Sequence, residues 1–307
     1  MCTTARSEYI LGLLLFVFLF LWAPAIANAA ETAAEAAAPQ FEHNDGVVNG
    51  MVGAVGTAAI HLATDLHEQV SYPFALAGRS PAKFLIGATG IVALILSDQV
   101  TYSPMAEPTF LPPAQLVGPA QTLSNIGNTQ NALPLILGIG AIGLVTGSDR
   151  EKQTSVMLAE ALVTSGLWTS ALKYVAGRER PRELHEESAD WTGPGGVFGD
   201  DGAPRRYASF PSGHATGIWA VATVLAHQYP TYHVVPTLAY GSAVAISYSR
   251  MVVKAHFLSD VVVGGLIGYG CARQVIGAHE RDGEPSRLHF LYEPSGQEQR
   301  VGVAIDF

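Results

Sequence analysis

Apolar residues in this chain gather into long runs and do not alternate with polar ones. Such runs recur at 84–97, 132–147, 155–175, 214–228, 234–247 and 257–278. None has the period of two that marks a half-buried strand, and each is long enough for a helix. The pattern predicts an all-α fold built on a six-helix core bundle, preceded by a further helical segment over 52–69. A polar, Gly-rich stretch at 182–206 separates the third and fourth core helices and reads as a long surface loop. Near the C-terminus, 289–293 and 300–307 flank a turn-forming segment, and Val301, Val303, Ile305 and Phe307 alternate, so a small hairpin is expected there. No internal repeat is visible.

The first apolar run, 10–22, is too short for a membrane span of about 20 residues. It follows Arg6 and is followed by Ala27-Asn28-Ala29, the small-x-small pattern of a cleavage site. Residues 1–29 therefore read as an export signal, with an uncleaved anchor as the alternative. Residues 30–50 read as a low-complexity linker, 51–280 as the helical domain and 281–307 as a tail carrying the hairpin. Most core runs also fall short of a full span, which suits a soluble bundle as well as a membrane one. Their abundant Gly and Ala permit close helix packing in either setting. If the signal is removed and all six helices span, the end of the third lies in the cytoplasm, at odds with export. That tension leaves both settings open.

Composition narrows the partners. Of 307 residues, 49% are hydrophobic and 14% charged, and the net charge is −9. Intrinsic disorder is excluded for most of the chain. So is a nucleic-acid partner, since acids outnumber bases by 26 to 17 and phosphate-backbone binding needs the reverse. Any anion site must be a local concentration of positive charge. Once Cys2 is cleaved away, Cys271 has no partner for an intrachain disulfide.

Three clusters at predicted helix ends supply that concentration. Lys173 and Arg180-Pro181 lie where the third core helix gives way to the loop. Phe210-Pro211-Ser212-Gly213-His214 opens the fourth, and its free backbone N–H groups and helix dipole suit an anion. Ser249-Arg250 is followed by His256 and Asp260, four apart and on one helical face, so the carboxylate can orient the ring and leave its other nitrogen as a lone pair. Singly, each cluster has an ordinary explanation: a core histidine, an N-cap serine, a cation solvating a helix end. Eleven identities in one order, each met by chance about one time in twenty, are another matter.

In these motifs, K-x6-RP, PSGH and SR-x5-H-x3-D, the sequence over 155–278 resembles the type 2 phosphatidic acid phosphatase (PAP2) and vanadium haloperoxidase superfamily. The resemblance implies a helical core in which the three clusters converge on a phosphate without a catalytic metal or other cofactor. It implies that His256 attacks phosphorus while Asp260 orients it, and that His214 protonates the leaving oxygen and then activates water. Lys173, Arg180, Ser212, Gly213 and Arg250 would hold the phosphoryl oxygens. Independently, phosphoryl transfer rests on positioning and charge stabilisation, which three cations and a helix N-terminus can provide.

The expected function is a phosphate monoesterase acting at the periplasmic side of a bacterial envelope on a phosphorylated lipid such as phosphatidate or polyprenyl pyrophosphate, with membrane association. A soluble acid phosphatase of broad specificity is the alternative, followed by a haloperoxidase and a non-enzymatic envelope protein. His61, Asp65, His67 and Glu68 form a metal-like set that reads as a solvated helix face. The acids Glu183, Glu186, Glu187, Asp190, Asp200 and Asp201 fit no EF-hand spacing and read as solvated loop, while Trp191 and Phe198 are candidates for a lid.

Overall fold

The computed structural model describes residues 46–101, 114–184, 189, 191–194, 206–282, 288–295 and 298–305. The proposed signal, most of the linker, Phe198 and most of the loop acids lie outside these. The described part is mostly helical. Eight α-helices follow in order: α1 (Gly46–Arg79), α2 (Pro81–Thr101), α3 (Val117–Ile126), α4 (Ala132–Thr146), α5 (Asp149–Ala176), α6 (Gly213–Gln228), α7 (Val234–Val252) and α8 (Leu258–Asp282). Each of the six core runs falls on one of them (α2 and α4–α8), and the segment foreseen over 52–69 lies within α1. The short α3 was not foreseen, and α1 begins inside the segment read as linker. Strands Leu288–Ser295 and Glu298–Ile305 pair antiparallel, with Leu288 opposite Ile305.

The central packing unit is α5, α6 and α8. Met157, Leu158 and Ala161 of α5 meet Ala220, Val221 and Val224 of α6 and Ala272, Val275 and Ile276 of α8 in one buried cluster. Small residues let these backbones approach. A Cβ on Gly268 would collide with the Thr216 carbonyl, and one on Gly264 would lie 2.5 Å from the Ser212 carbonyl oxygen. Thr169 Oγ1 donates to Thr216 Oγ1 at 3.0 Å across the α5–α6 contact.

Many large apolar side chains face outward from the bundle. Ile86 on α2 is 73% exposed, and Leu144 and Val145 on α4 are 76% and 87% exposed. Four helical stretches are long and apolar enough to cross a membrane: Pro81–Asp98, Thr129–Thr146, Asp149–Ala176 and Leu258–Arg281. Leucines turned outward in such numbers would be an aggregation hazard in water and are the ordinary surface in lipid. The chain is membrane-embedded by this reading.

The α6–α8 contact gives a test. Gly268→Ala should cost about 1–3 kcal/mol by overpacking, read as a lowered thermal midpoint in detergent. Gly270→Ala, with open space around it, should leave the midpoint within error.

Candidate active site

The polar ends of the helices gather at one end of the bundle. The carboxyl-terminal ends of α2, α5 and α7 arrive there, and α6 and α8 start there. At α5 the helix must stop and turn sharply. Gly177 does this with φ +50°, a left-handed conformation open to glycine, and its N–H caps the Lys173 carbonyl at 2.9 Å. A side chain there would also run into Gly193. The turn delivers Arg178 inward and Arg180 to the other side of the strand-like segment.

Arg178 is 3% exposed and bridges two buried carboxylates. Its Nη1 donates to Asp260 Oδ1 at 2.7 Å and to Ser259 Oγ at 2.8 Å, and its Nη2 donates to Asp98 Oδ2 at 2.9 Å. Asp98, from the end of α2, also accepts from the Ser259 N–H at 3.1 Å and from the Ser259 hydroxyl. The guanidinium lies 4.0 Å from the Phe257 ring centroid and 4.8 Å from that of Trp191. Trp191 in turn packs on Phe210 at 5.5 Å, so this residue forms part of the wall behind the site.

Asp260 is fully buried and saturated. Besides Arg178 it accepts from the Phe257 N–H at 2.9 Å and the Ser209 hydroxyl at 2.5 Å, both on Oδ2. Its own carbonyl accepts from the Ser212 N–H at 2.9 Å, which ties the start of α8 to the start of α6. Oδ2 lies 3.6 Å from His256 Nδ1, beyond hydrogen-bond reach. That buried nitrogen has no other partner, so a small closing movement completes the pair. His256 Nε2 faces Arg180 Nη1 at 3.4 Å.

The three clusters picked out in the sequence are thus brought together. Lys173 Nζ donates to the carbonyls of Ala208, Ser209 and Pro211, and Arg180 Nη2 donates to the Ala208 carbonyl at 3.1 Å and Nη1 to that of Ala255 at 3.1 Å. In this unliganded geometry Lys173 is a clamp on the segment leading into α6. Ser212 is the N-cap of α6, its Oγ accepting from the Ala215 N–H at 3.5 Å, and Gly213 is the first helical residue. Arg250 reaches from α7 to the Ser124 hydroxyl on α3, while its buried Nε has no hydrogen-bond partner.

The electrostatics follow from burial among cations. Burial first, then Arg250, Arg180 and Lys173, push His214 down to about 4. Burial also pushes His256 down to about 3, against the pull of Asp260. Arg250 falls to about 10, mainly by burial and then by Arg180, and stays charged at neutral pH. Both rings are therefore neutral at pH 7, as a nucleophile or a metal-free base requires. Arg178, Asp98, Ser209, Ser259 and Ser124 were not picked out in the sequence. An acid closing an otherwise apolar run, Asp98, and a second arginine beside the motif arginine were the available signals.

Two outcomes are expected from this geometry. Arg178→Leu should cost about 3–5 kcal/mol in denaturant unfolding, because two buried carboxylates lose their counter-charge. The Asp98→Leu, Arg178→Leu double variant should lose less than the sum of the singles, the coupling expected of residues in direct contact. Secondly, an unfolded histidine titrates near 6.5, above both native values. Between pH 6.5 and about 4 the unfolded chain binds protons that the native site refuses, so stability is full above that window and falls as pH drops. Thermal midpoints measured from pH 8 to pH 4 should show this slope, and a His214→Gln, His256→Gln protein should show a shallower one.

Residues 154–283 match the model of the PAP2 superfamily. The chain is similar to the lipid A 1-phosphatase of Rhizobium johnstonii, 34% identical over 107 residues that make up 35% of this chain and 40% of the relative. It is similar to that of Rhizobium etli, 33% identical over 36% of this chain and 44% of the relative. The chain thus spans about two-fifths of the length of these curated relatives. Among solved structures, that of Aquifex aeolicus LpxE is 22% identical with a TM-score of 0.40, covering 54% of this chain and 88% of that one. The transmembrane PAP2-type phosphatidylglycerolphosphate phosphatase from Bacillus subtilis is 19% identical with a TM-score of 0.42, covering 74% and 96%. The segment holding all three clusters lies within the residues that match the PAP2 superfamily model, so the family match and the motifs fall on the same part of the chain.

Proposed function

We propose that the protein is a membrane-embedded phosphatase that hydrolyses a phosphate ester of a lipid through a phosphohistidine on His256. One observation carries the reading. A neutral imidazole, backed at 3.6 Å by a buried carboxylate, faces an arginine at 3.4 Å, with the capped start of α6 tied to that carboxylate's own backbone.

In the first step the N–P bond to His256 Nε2 forms as the P–O bond to the lipid breaks. His256 carries its proton on Nδ1, toward Asp260, which stabilises the charge that develops on the ring. His214 gives a proton to the departing oxygen. In the second step His214 takes a proton from water, the water oxygen attacks phosphorus, and the N–P bond breaks to release inorganic phosphate. An acid pushed down to about 4 would be a poor donor in the empty site. A phosphate dianion offsets the arginines and lysine that depress it, raising its pKa as substrate binds. Arg180, Arg250, the Ser212 hydroxyl and the N–H group of Gly213 hold the equatorial oxygens. Lys173 serves by exchanging a carbonyl for a phosphoryl oxygen or by holding the 208–211 segment in place.

The lipid class is supported by the outward-facing leucines and the four membrane-length stretches, and by relatives whose names specify a lipid A phosphate. The same exposed surface disfavours a soluble acid phosphatase. The proposal keeps the export signal over 1–29, the site on the exported side of the membrane, the six-helix core and the terminal hairpin.

Phosphate release from lipid A 1-phosphate, phosphatidate, polyprenyl pyrophosphate and p-nitrophenyl phosphate tests it. Wild-type protein should prefer at least one lipid over p-nitrophenyl phosphate, and His256→Ala should be inactive on all four. His214→Ala should lose about 100-fold or more on the lipids and less on p-nitrophenyl phosphate, whose leaving group needs no proton. Full activity of His256→Ala on any of them would remove the phosphohistidine.

A further inference from the structure

A second cluster of chemistry-bearing side chains lies far from the phosphate site. Glu160 is thirteen residues before Lys173 on α5 and His279 nineteen after Asp260 on α8, so they stand about 20 and 28 Å down the bundle from the site. His61 joins them from α1. The sequence set of His61, Asp65, His67 and Glu68 treats α1 as solvated along one face, and the structure corrects this: Asp65 is 2% exposed, because α1 runs far beyond the short polar helix expected and packs that face inward. His67 remains exposed.

We propose that His61, Glu160 and His279 form a binding site for a divalent transition metal of the zinc class, held between α1, α5 and α8. One nitrogen or oxygen from each residue lies within 4.8 Å of the other two. His279 Nε2 is 2.5 Å from Glu160 Oε2, and His61 Nδ1 is 3.9 Å from Glu160 Oε1. Zinc bonds of about 2.0–2.2 Å to nitrogen and oxygen place tetrahedral donors roughly 3.3–3.5 Å apart, so modest side-chain rotations, opening one pair and closing the other, seat the ion. The two rings meet edge to face at 5.9 Å, which leaves their nitrogens directed at the carboxylate between them. Two imidazoles and one carboxylate are a zinc donor set with a fourth position left for water.

Charge argues for a cation too. Asp65 lies one turn from His61 and is itself buried. Glu68 follows three residues later and is taken up by Arg281 at 2.7 and 2.9 Å. Three carboxylates against that guanidinium leave an excess that a divalent ion matches. The His61 side chain is 33% exposed, whereas Glu160 and His279 are largely enclosed.

Full-length protein in detergent micelles, stripped with a chelator and titrated with Zn2+ alone, tests the site. Wild-type protein should retain one zinc per chain after gel filtration, and zinc should raise its thermal midpoint. Affinity should fall about 100-fold or more in His61→Ala, Glu160→Gln and His279→Ala, since even loss of a residue behind a ligand costs 10–100-fold. His67→Ala should bind as wild type does. Cobalt loading of the wild type should give the intense visible bands of a four-coordinate ion, a readout independent of how the variants fold. Failure of the wild type to hold zinc, retention of zinc by the three variants, or equal loss in His67→Ala would each show a His–Glu ion pair and no more. The outcome does not depend on the phosphatase reading, because no hydrolysis is measured.

Discussion

The end of the bundle that carries the site is organised around Arg178. A single guanidinium, enclosed between two aromatic rings, holds Asp98 from α2 and Asp260 from α8 at hydrogen-bond distance. Two buried carboxylates and one buried cation leave a negative charge that the hydroxyls of Ser209 and Ser259 and the N–H groups of Phe257 and Ser259 share. Buried charges are tolerated only when so fully bonded. The requirement fixes the relative positions of α2, the segment after α5, the segment before α6 and the start of α8 in one step.

Seen from the pocket, that network is the rear layer of an electrostatic sandwich. The front layer is positive: Lys173, Arg180 and Arg250 all bear on His214. His256 stands between the layers, its Nδ1 toward Asp260 and its Nε2 toward Arg180. Burial and the neighbouring cations keep the ring neutral against the pull of Asp260, and in the proposed mechanism the positive charge of a phosphorylated ring would fall against a carboxylate already anchored from behind. The Ser212 N–H to Asp260 carbonyl bond extends the same anchoring to the backbone amides that open α6.

The helices were legible because each core run is unbroken and too long for a strand. The motif residues were legible because their order is improbable by chance. Helix α3 was not: VGPAQTLSNI mixes Gly, Pro and polar residues, and its helicity comes from packing beside α7, where Ser124 receives Arg250. Arg178 was hidden by its neighbours, since nothing local tells which arginine of GRERP turns inward; the left-handed Gly177 decides it. Glu160 and His279 were invisible as a pair because 119 residues separate them, and only the α5–α8 contact brings them together.

The charge pattern along α5 bears on where the phosphate of a lipid could be met. Asp149 to Lys152 are all charged, then 153–172 contains Glu160 as its one ionisable group, and Lys173 follows. Twenty residues of helix span about 30 Å, the thickness of a bilayer's hydrocarbon core. With that stretch in the hydrocarbon, Lys173 is at its edge, and Arg178, Arg180 and the starts of α6 and α8 lie in the headgroup layer, where a lipid carries its phosphate. Glu160 then falls within the apolar layer, where an isolated carboxylate is too costly to persist; contact with His279 and His61 is what makes its position tenable. The same helix therefore sets the depth of the phosphate site by where its apolar stretch ends, and requires the histidine partners by where that stretch is interrupted.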